Sequence, residues 1–219
     1  MSPEFITLQL NIATLRVNFL AFAARPDGEY TDAERLNCRA FIAFSHAEVE
    51  HYLESRSLRL LDDAVRCWQE RQEASITALA VLAFRRRNSI AIPDDPRSPG
   101  RQNTLATILM EAFVSQKNVI NRNHGIKPKN FAEIFIPLGV TDADVEETLI
   151  IQLGNSGTHR GTMVHSSSDV SLPMIRDPFV DEEKDINFLV SELLKFDAKL
   201  EMTGLIHNAA PNDPEVPAA

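Results

Sequence analysis

Two side chains with complementary chemistry stand close together in Arg160-Gly161-Thr162-Met163-Val164-His165. An arginine offers a planar fork of N–H donors to charge growing on an ester oxygen. A histidine titrates near neutrality, so it can accept or deliver a proton at working pH. Together they supply stabilised charge and a moved proton. Their spacing alone says little. With 16 Arg and 6 His in the chain, chance gives about 0.4 pairs at this gap, and about 1.3 if gaps of four to six count. Arg39 and His46 form a second pair, seven positions apart and on one face of a helix.

Setting separates the two pairs. Arg39 and His46 flank Ala40, Phe41, Ile42, Ala43 and Phe44, which read as core. Arg160 follows Gly154-Asn155-Ser156-Gly157-Thr158-His159, a stretch poor in core-forming residues. An offset of five turns an ideal helix by about 500°, leaving Arg160 and His165 roughly 140° apart. They converge on one ligand if the helix starts, bends or is capped here, and Gly157 and Gly161 supply that freedom.

The elements that must hold this segment are helical. Phe5, Leu8, Ile12, Leu15, Phe19 and Phe22 recur in steps of three and four, one face of a helix that Arg25-Pro26-Asp27-Gly28 ends. Ser2-Pro3-Glu4-Phe5 fits either a native helix start or a cloning remnant. A second helix opens at Thr31, with Glu34 completing a capping box, and runs towards Trp68 with a break near Ser55. Ile76 to Phe84 forms a third apolar segment, and 85–103, with Pro93, Pro96, Pro99 and Gly100, reads as a loop. A helix follows through Leu105, Ile108, Leu109, Ala112, Phe113 and Ile120, then a short one from Phe131 to Leu138. Thr141, Asp142 and Asp144 cap the next helix, which carries Leu149 to Leu153 up to the glycine-marked region 154–161. The last long helix buries Ile186, Leu189, Val190, Leu193, Phe196 and Leu200. No strand pattern with a hairpin turn appears. The fold class is all-α.

Composition bounds the function. The chain has 219 residues, 44% of them hydrophobic, enough for one core. Residues 1–206 form a single helical domain, and 207–219, with Pro211, Pro214 and Pro217, a disordered tail. The formal net charge of -9 argues against a non-specific nucleic-acid binder, since phosphate contacts dominate such binding. A local cationic patch is still open to an acidic protein. Cys38 and Cys67 are too few for a disulfide framework and read as buried helical thiols. With no apolar run near the roughly 18 residues of a membrane span and no signal-peptide pattern, the expectation is a cytoplasmic protein without a membrane partner.

Several stretches together resemble the HEPN superfamily, and most closely its RiboL-PSP-type domain. Arg160-x4-His165, between two C-terminal helices, resembles the family's R-x4–6-H motif. The likeness also rests on Phe41-Ile42-Ala43-Phe44-Ser45-His46-Ala47-Glu48-Val49-Glu50, on Asn123-His124-Gly125-Ile126-Lys127 leading to Phe131 and Pro137-Leu138-Gly139-Val140, and on Arg176-Asp177-Pro178. It spans roughly residues 5 to 200. Many active members carry Asn, Asp or His after the arginine, where this chain has Gly161.

The resemblance implies an HEPN-like helical bundle with additional short helices and loops. It implies a metal-independent endoribonuclease, needing no cofactor, in which a 2′-OH attacks the neighbouring phosphate to leave 2′,3′-cyclic phosphate and 5′-OH ends. Arg160 and His165 are then the catalytic pair. Glu50 falls where the family often has an acidic residue that orients the site; a surface or dimer contact suits it equally. His159 and Gly161 are further candidates for support, though His159 reads more readily as solvated. Arg85, Arg86 and Arg87 can guide RNA, although a solvated helix end is the commoner meaning of such a run. The implied partners are an RNA substrate, a second copy in a homodimer, and a cognate antitoxin or regulatory protein, in keeping with toxin or antiviral roles. The alternative is an inactive HEPN-fold binding or dimerisation module. His46, Glu50 and His51 give no metal reading, because there is no HExxH and no third ligand. His124 reads as a turn residue, and Ser166 to Ser168 form no nucleophile elbow.

Overall fold

The computed structural model describes residues 1–25, 28–85, 104–165 and 175–202, and the side chains of residues 164 and 165 fall outside the description. Among the described residues, seven α-helices carry the fold: α1 (Pro3–Phe19), α2 (Asp32–Arg71), α3 (Ile76–Arg85), α4 (Leu105–Asn121), α5 (Pro128–Phe135), α6 (Glu147–His165) and α7 (Lys184–Met202). Two 3-10 turns, Ile136–Leu138 and Asp142–Asp144, follow α5, and a π-helical turn, Pro178–Glu183, leads into α7. No strand occurs among the described residues. Residues 86–103 and 207–219, read as a loop and a disordered tail, lie outside them.

The organising element is α2, a 40-residue helix that spans about 60 Å. Its sequence contains neither proline nor glycine, so nothing in the backbone interrupts it. The break expected near Ser55 does not occur. Ser57, two residues on, returns its hydroxyl to the Glu54 carbonyl at 2.9 Å, satisfying itself within the helix. At the start of α2, Thr31 Oγ1 accepts from the Glu34 amide at 3.3 Å, and the Glu34 carboxylate accepts from the Thr31 amide at 2.8 Å. Gln72 ends the helix in the left-handed region at φ 58°. Thr31→Ala should lower the unfolding free energy by about 1 kcal/mol, read from a urea midpoint.

Around α2 pack α1 on one side, α4 and α5 on another, and α6 on a third, with α7 closing against α6. The main core joins Phe5 and Leu8 of α1, Tyr52, Leu53 and Leu60 of α2, Phe113 of α4, Phe131 and Phe135 of α5, and Leu193 and Phe196 of α7. A smaller cluster of Cys38, Phe41, Ile42, Met163 and Ile175 ties the start of α2 to the end of α6. Both cysteines are buried free thiols, and burial pushes that of Cys38 up to about 12. Ser2 caps α1 by accepting from the Phe5 amide, and Phe5 is fully buried, so Ser2-Pro3-Glu4-Phe5 is an integral helix start in this fold. Among the described residues no helix is long and apolar enough to cross a membrane.

The glycines of residues 154–161 do not break their helix. Helix α6 runs without interruption from Glu147 to His165. A Cβ on Gly157 would sit 2.8 Å from Lys127 Cγ, and one on Gly154 would touch the Pro128 ring at 3.7 Å. Gly157 lets the start of α5 lie close against α6, which is a packing role and not a bend, while the contact at Gly154 is ordinary van der Waals packing.

Candidate functional site

A cleft of about 350 Å³ opens between α2, α6 and the start of α7. Each helix lines it with one stripe. From α2 come Ile42, Ser45, His46 and Val49, at offsets of three, four and seven. From α6 come Gln152, Asn155, Ser156, His159 and Arg160, a polar face at offsets of three, four, seven and eight. Arg176 and Glu182, around the π-helical turn, and Asp185, Ile186 and Leu189 of α7 complete the walls with Ile126. Apolar Ile42, Val49 and Leu189 share the lining with charged Arg160, Arg176 and Glu182.

The charges are unevenly matched. Glu182 is 2% exposed, and its carboxylate accepts from His159 Nε2 at 2.9 and 3.0 Å and from Arg176 Nε and Nη2 at 3.1 and 3.0 Å. Burial alone would raise its pKa, but the bonds from His159 and Arg176 outweigh it and hold the carboxyl below the usual carboxylate range. Arg176 also reaches Asp185 at 2.8 Å. Arg160, by contrast, forms no ion pair with a described residue, and its Nε is buried without a hydrogen-bond partner. Ser45 Oγ and His46 Nδ1 are likewise buried without a hydrogen-bond partner. A buried polar atom left without a partner costs roughly 1–3 kcal/mol.

No protein-family model, no curated protein and no solved structure matches this chain. The site therefore stands on its own geometry.

That geometry sorts the candidate residues. Arg160 lines the cleft. His165 is the last residue of α6, and its side chain lies outside the description. Because α6 is continuous, the two positions are about 140° apart on the helix, and the convergence expected from a glycine break has no backbone device behind it. His159, read as solvated, is instead a cleft residue bonded to a buried carboxylate. A Cβ added at Gly161 would meet nothing within 4 Å, so the position is open to a side chain. Glu50 does not line the cleft. Its carboxylate accepts from the Gly125 amide at 2.7 Å, where φ of 129° requires glycine, and lies 3.9 Å from His46 Nδ1. Arg85 does not line the cleft; its Nε donates to the buried Gln116 and its Nη2 to the Glu133 carbonyl at 3.1 Å, fastening α3 to α4 and α5. Arg86 and Arg87 lie outside the described residues. Among those described, no group of three or more His, Cys, Asp or Glu is arranged to hold a metal ion.

Two further cleft residues were not placed at the cleft by the sequence. His46 reads there as core and is buried, but it also lines the cleft beside Ser45. The polar run Gln152-Asn155-Ser156-His159-Arg160 is the signal that finds this face, since a polar stripe turned towards a neighbouring helix has no packing reason. Glu182 has no comparable local signal, because only tertiary contact brings it under His159.

His46 is 7% exposed, and burial, with the Arg160 charge beside it, depresses its pKa from 6.5 to about 4. Between those values the unfolded chain takes a proton that the folded chain refuses. The associated stability is therefore full above pH 6.5 and falls as acid is added, by roughly 2–3 kcal/mol at pH 4. Glu182, whose folded pKa is also lowered, adds a further loss below its ordinary 4.5. Urea midpoints from pH 7 to 4 should show the decline, and His46→Gln should flatten its upper part.

Proposed function

We propose that this protein is a metal-independent endoribonuclease of the HEPN type, working at the cleft between α2 and α6. The observation that carries the reading is Arg160: a guanidinium on the cleft wall, uncompensated by any described carboxylate, with a buried N–H awaiting an acceptor. A phosphodiester oxygen is such an acceptor, and the charge it gains in the transition state strengthens the contact. The imidazole of His165, the second member of Arg160-x4-His165, supplies proton transfer. Attack by the 2′-OH then leaves a 2′,3′-cyclic phosphate and a 5′-OH, with no cofactor. The wider reading includes a homodimer, a cytoplasmic role as toxin or antiviral effector, and a cognate antitoxin or regulatory partner.

The test is incubation of the pure protein with mixed single-stranded RNA in EDTA, beside Arg160→Ala and His165→Ala. Cleavage by the wild type that both variants lose supports the reading; cleavage that both retain sinks it. One observation favours a second reading, an inactive helical binding or dimerisation module. The unbroken α6 sets positions 160 and 165 about 140° apart, which suits a nuclease pair poorly. Under that reading the wild type leaves every RNA intact.

A further inference from the structure

We propose that His159, held by Glu182, is a catalytic proton acceptor of this cleft, acting beside Arg160. The inference rests on the ribonuclease reading above and assigns a residue that the Arg160-x4-His165 motif does not contain.

The argument is geometric. His159 and Arg160 are adjacent in α6 and both line the cleft, His159 from the same polar stripe as Asn155 and Ser156. His159 Nε2 is committed to both Glu182 oxygens, at 2.9 and 3.0 Å. With that nitrogen bound to a carboxylate, Nδ1 is left to meet a ligand, and the ring has one fixed orientation. Glu182 is itself immobilised: Arg176 grips it through two guanidinium nitrogens and, at 3.3 Å, through its own backbone amide. A base oriented by a buried carboxylate, which is in turn anchored, is the arrangement that activates hydroxyl nucleophiles in unrelated folds. The His159 side chain is 27% exposed, so a ligand can reach it. A histidine whose work was only structural would not need both an anchored carboxylate behind it and an opening in front of it. The other cleft imidazole, His46, is unsuited to the task, since its pKa near 4 makes it a weak base.

The step balances as follows. His159 Nδ1 takes the proton of the 2′-OH while O2′ forms its bond to phosphorus. The P–O5′ bond breaks, and its electron pair goes to the 5′-oxygen, which takes a proton from protonated His165, the acid of the proposed pair. Water then carries the proton held by His159 back to His165. Arg160 stabilises the phosphoryl charge throughout, and nothing is oxidised or reduced.

The experiment measures cleavage of single-stranded RNA in EDTA by the full chain and by His159→Ala, His159→Asn and Glu182→Gln. The asparagine variant keeps an amide that can donate to Glu182, so it holds the fold if alanine does not; circular dichroism and thermal melts establish which variants are folded. Both His159 variants should lose about 10²–10⁴-fold in kcat. Added imidazole should restore part of the activity of His159→Ala. As a positioning residue, Glu182 should affect kcat far more than KM when it becomes Gln. If the wild type cleaves and a folded His159 variant cleaves equally well, or imidazole rescues nothing, the inference is overturned while the ribonuclease reading stands. A wild type that cleaves no RNA overturns both.

Discussion

Arg56→Met is expected to lower the unfolding free energy by about 3–5 kcal/mol, the largest stability change of any single substitution argued for this protein. Arg56 is fully buried, an arginine at 0% exposure in the middle of α2. Its Nε lies 3.1 Å from Asp197 Oδ1, close enough for an ion pair though not aligned for a hydrogen bond. Its Nη2 bonds to Glu201, and its Nη1 is 3.9 Å from Glu4. Asp197, equally buried, also accepts from the Ser2 amide at 2.8 Å, the Ser2 hydroxyl at 2.6 Å and the Tyr52 hydroxyl at 3.2 Å. This network joins α1, α2 and α7 in one knot.

Methionine preserves most of the volume of Arg56 and removes its charge. The loss comes from what remains: a carboxylate without a cation in a low-dielectric interior. Equilibrium urea unfolding at pH 7 measures it, and the melting temperature should fall by about 10 °C. Pairing the change with Asp197→Asn removes the stranded charge, so the double variant should lose less than the sum of the singles. A loss under about 1 kcal/mol for Arg56→Met would show that solvent reaches the site and that the pair is ordinary.

Arg160→Ala is the second large effect, and it should appear in activity alone. Arg160 gives up no described ion pair, and its buried Nε has no bond to lose. Stability should therefore change by less than about 1 kcal/mol. Removing one donor aimed at developing charge costs about 10²–10³ in kcat. Arg160→Lys should recover little of this, because an ammonium lacks the planar fork. Full activity in Arg160→Ala would remove the main support for the ribonuclease reading. Equal losses of activity and stability would instead make Arg160 a structural residue.

The same two arginines show where sequence ends and structure begins. Helix periodicity made α1, α3, α4 and α7 legible, because each buries one face and repeats apolar residues at the period of the backbone. The Thr31–Glu34 capping box was legible too, since its partners lie three residues apart. The length of α2 was not: Ser55 looked like a weak point, and the helix runs through it without interruption. Nor was the role of Gly157, because a glycine marks either a bend or a close approach, and only the neighbour, here Lys127, says which. Arg56 carries no local signal of its role on a long helix. Its burial depends on Asp197, far away in the chain.

By itself, then, the sequence determined an all-helical chain, the approximate span of most helices, and an arginine–histidine segment worth attention. Local hydrogen bonding and side-chain periodicity act over three or four residues, and those are properties a sequence carries openly. Tertiary structure alone decided which residues share the cleft. Packing α6 across α2 put the buried His46 on the cleft wall and set His159 on Glu182. The uninterrupted course of α6 also changed the meaning of Arg160-x4-His165, placing His159 beside Arg160 in the cleft and His165 a third of a turn or more away. Such neighbours are fixed by which helix faces meet, and that is set by the whole core at once.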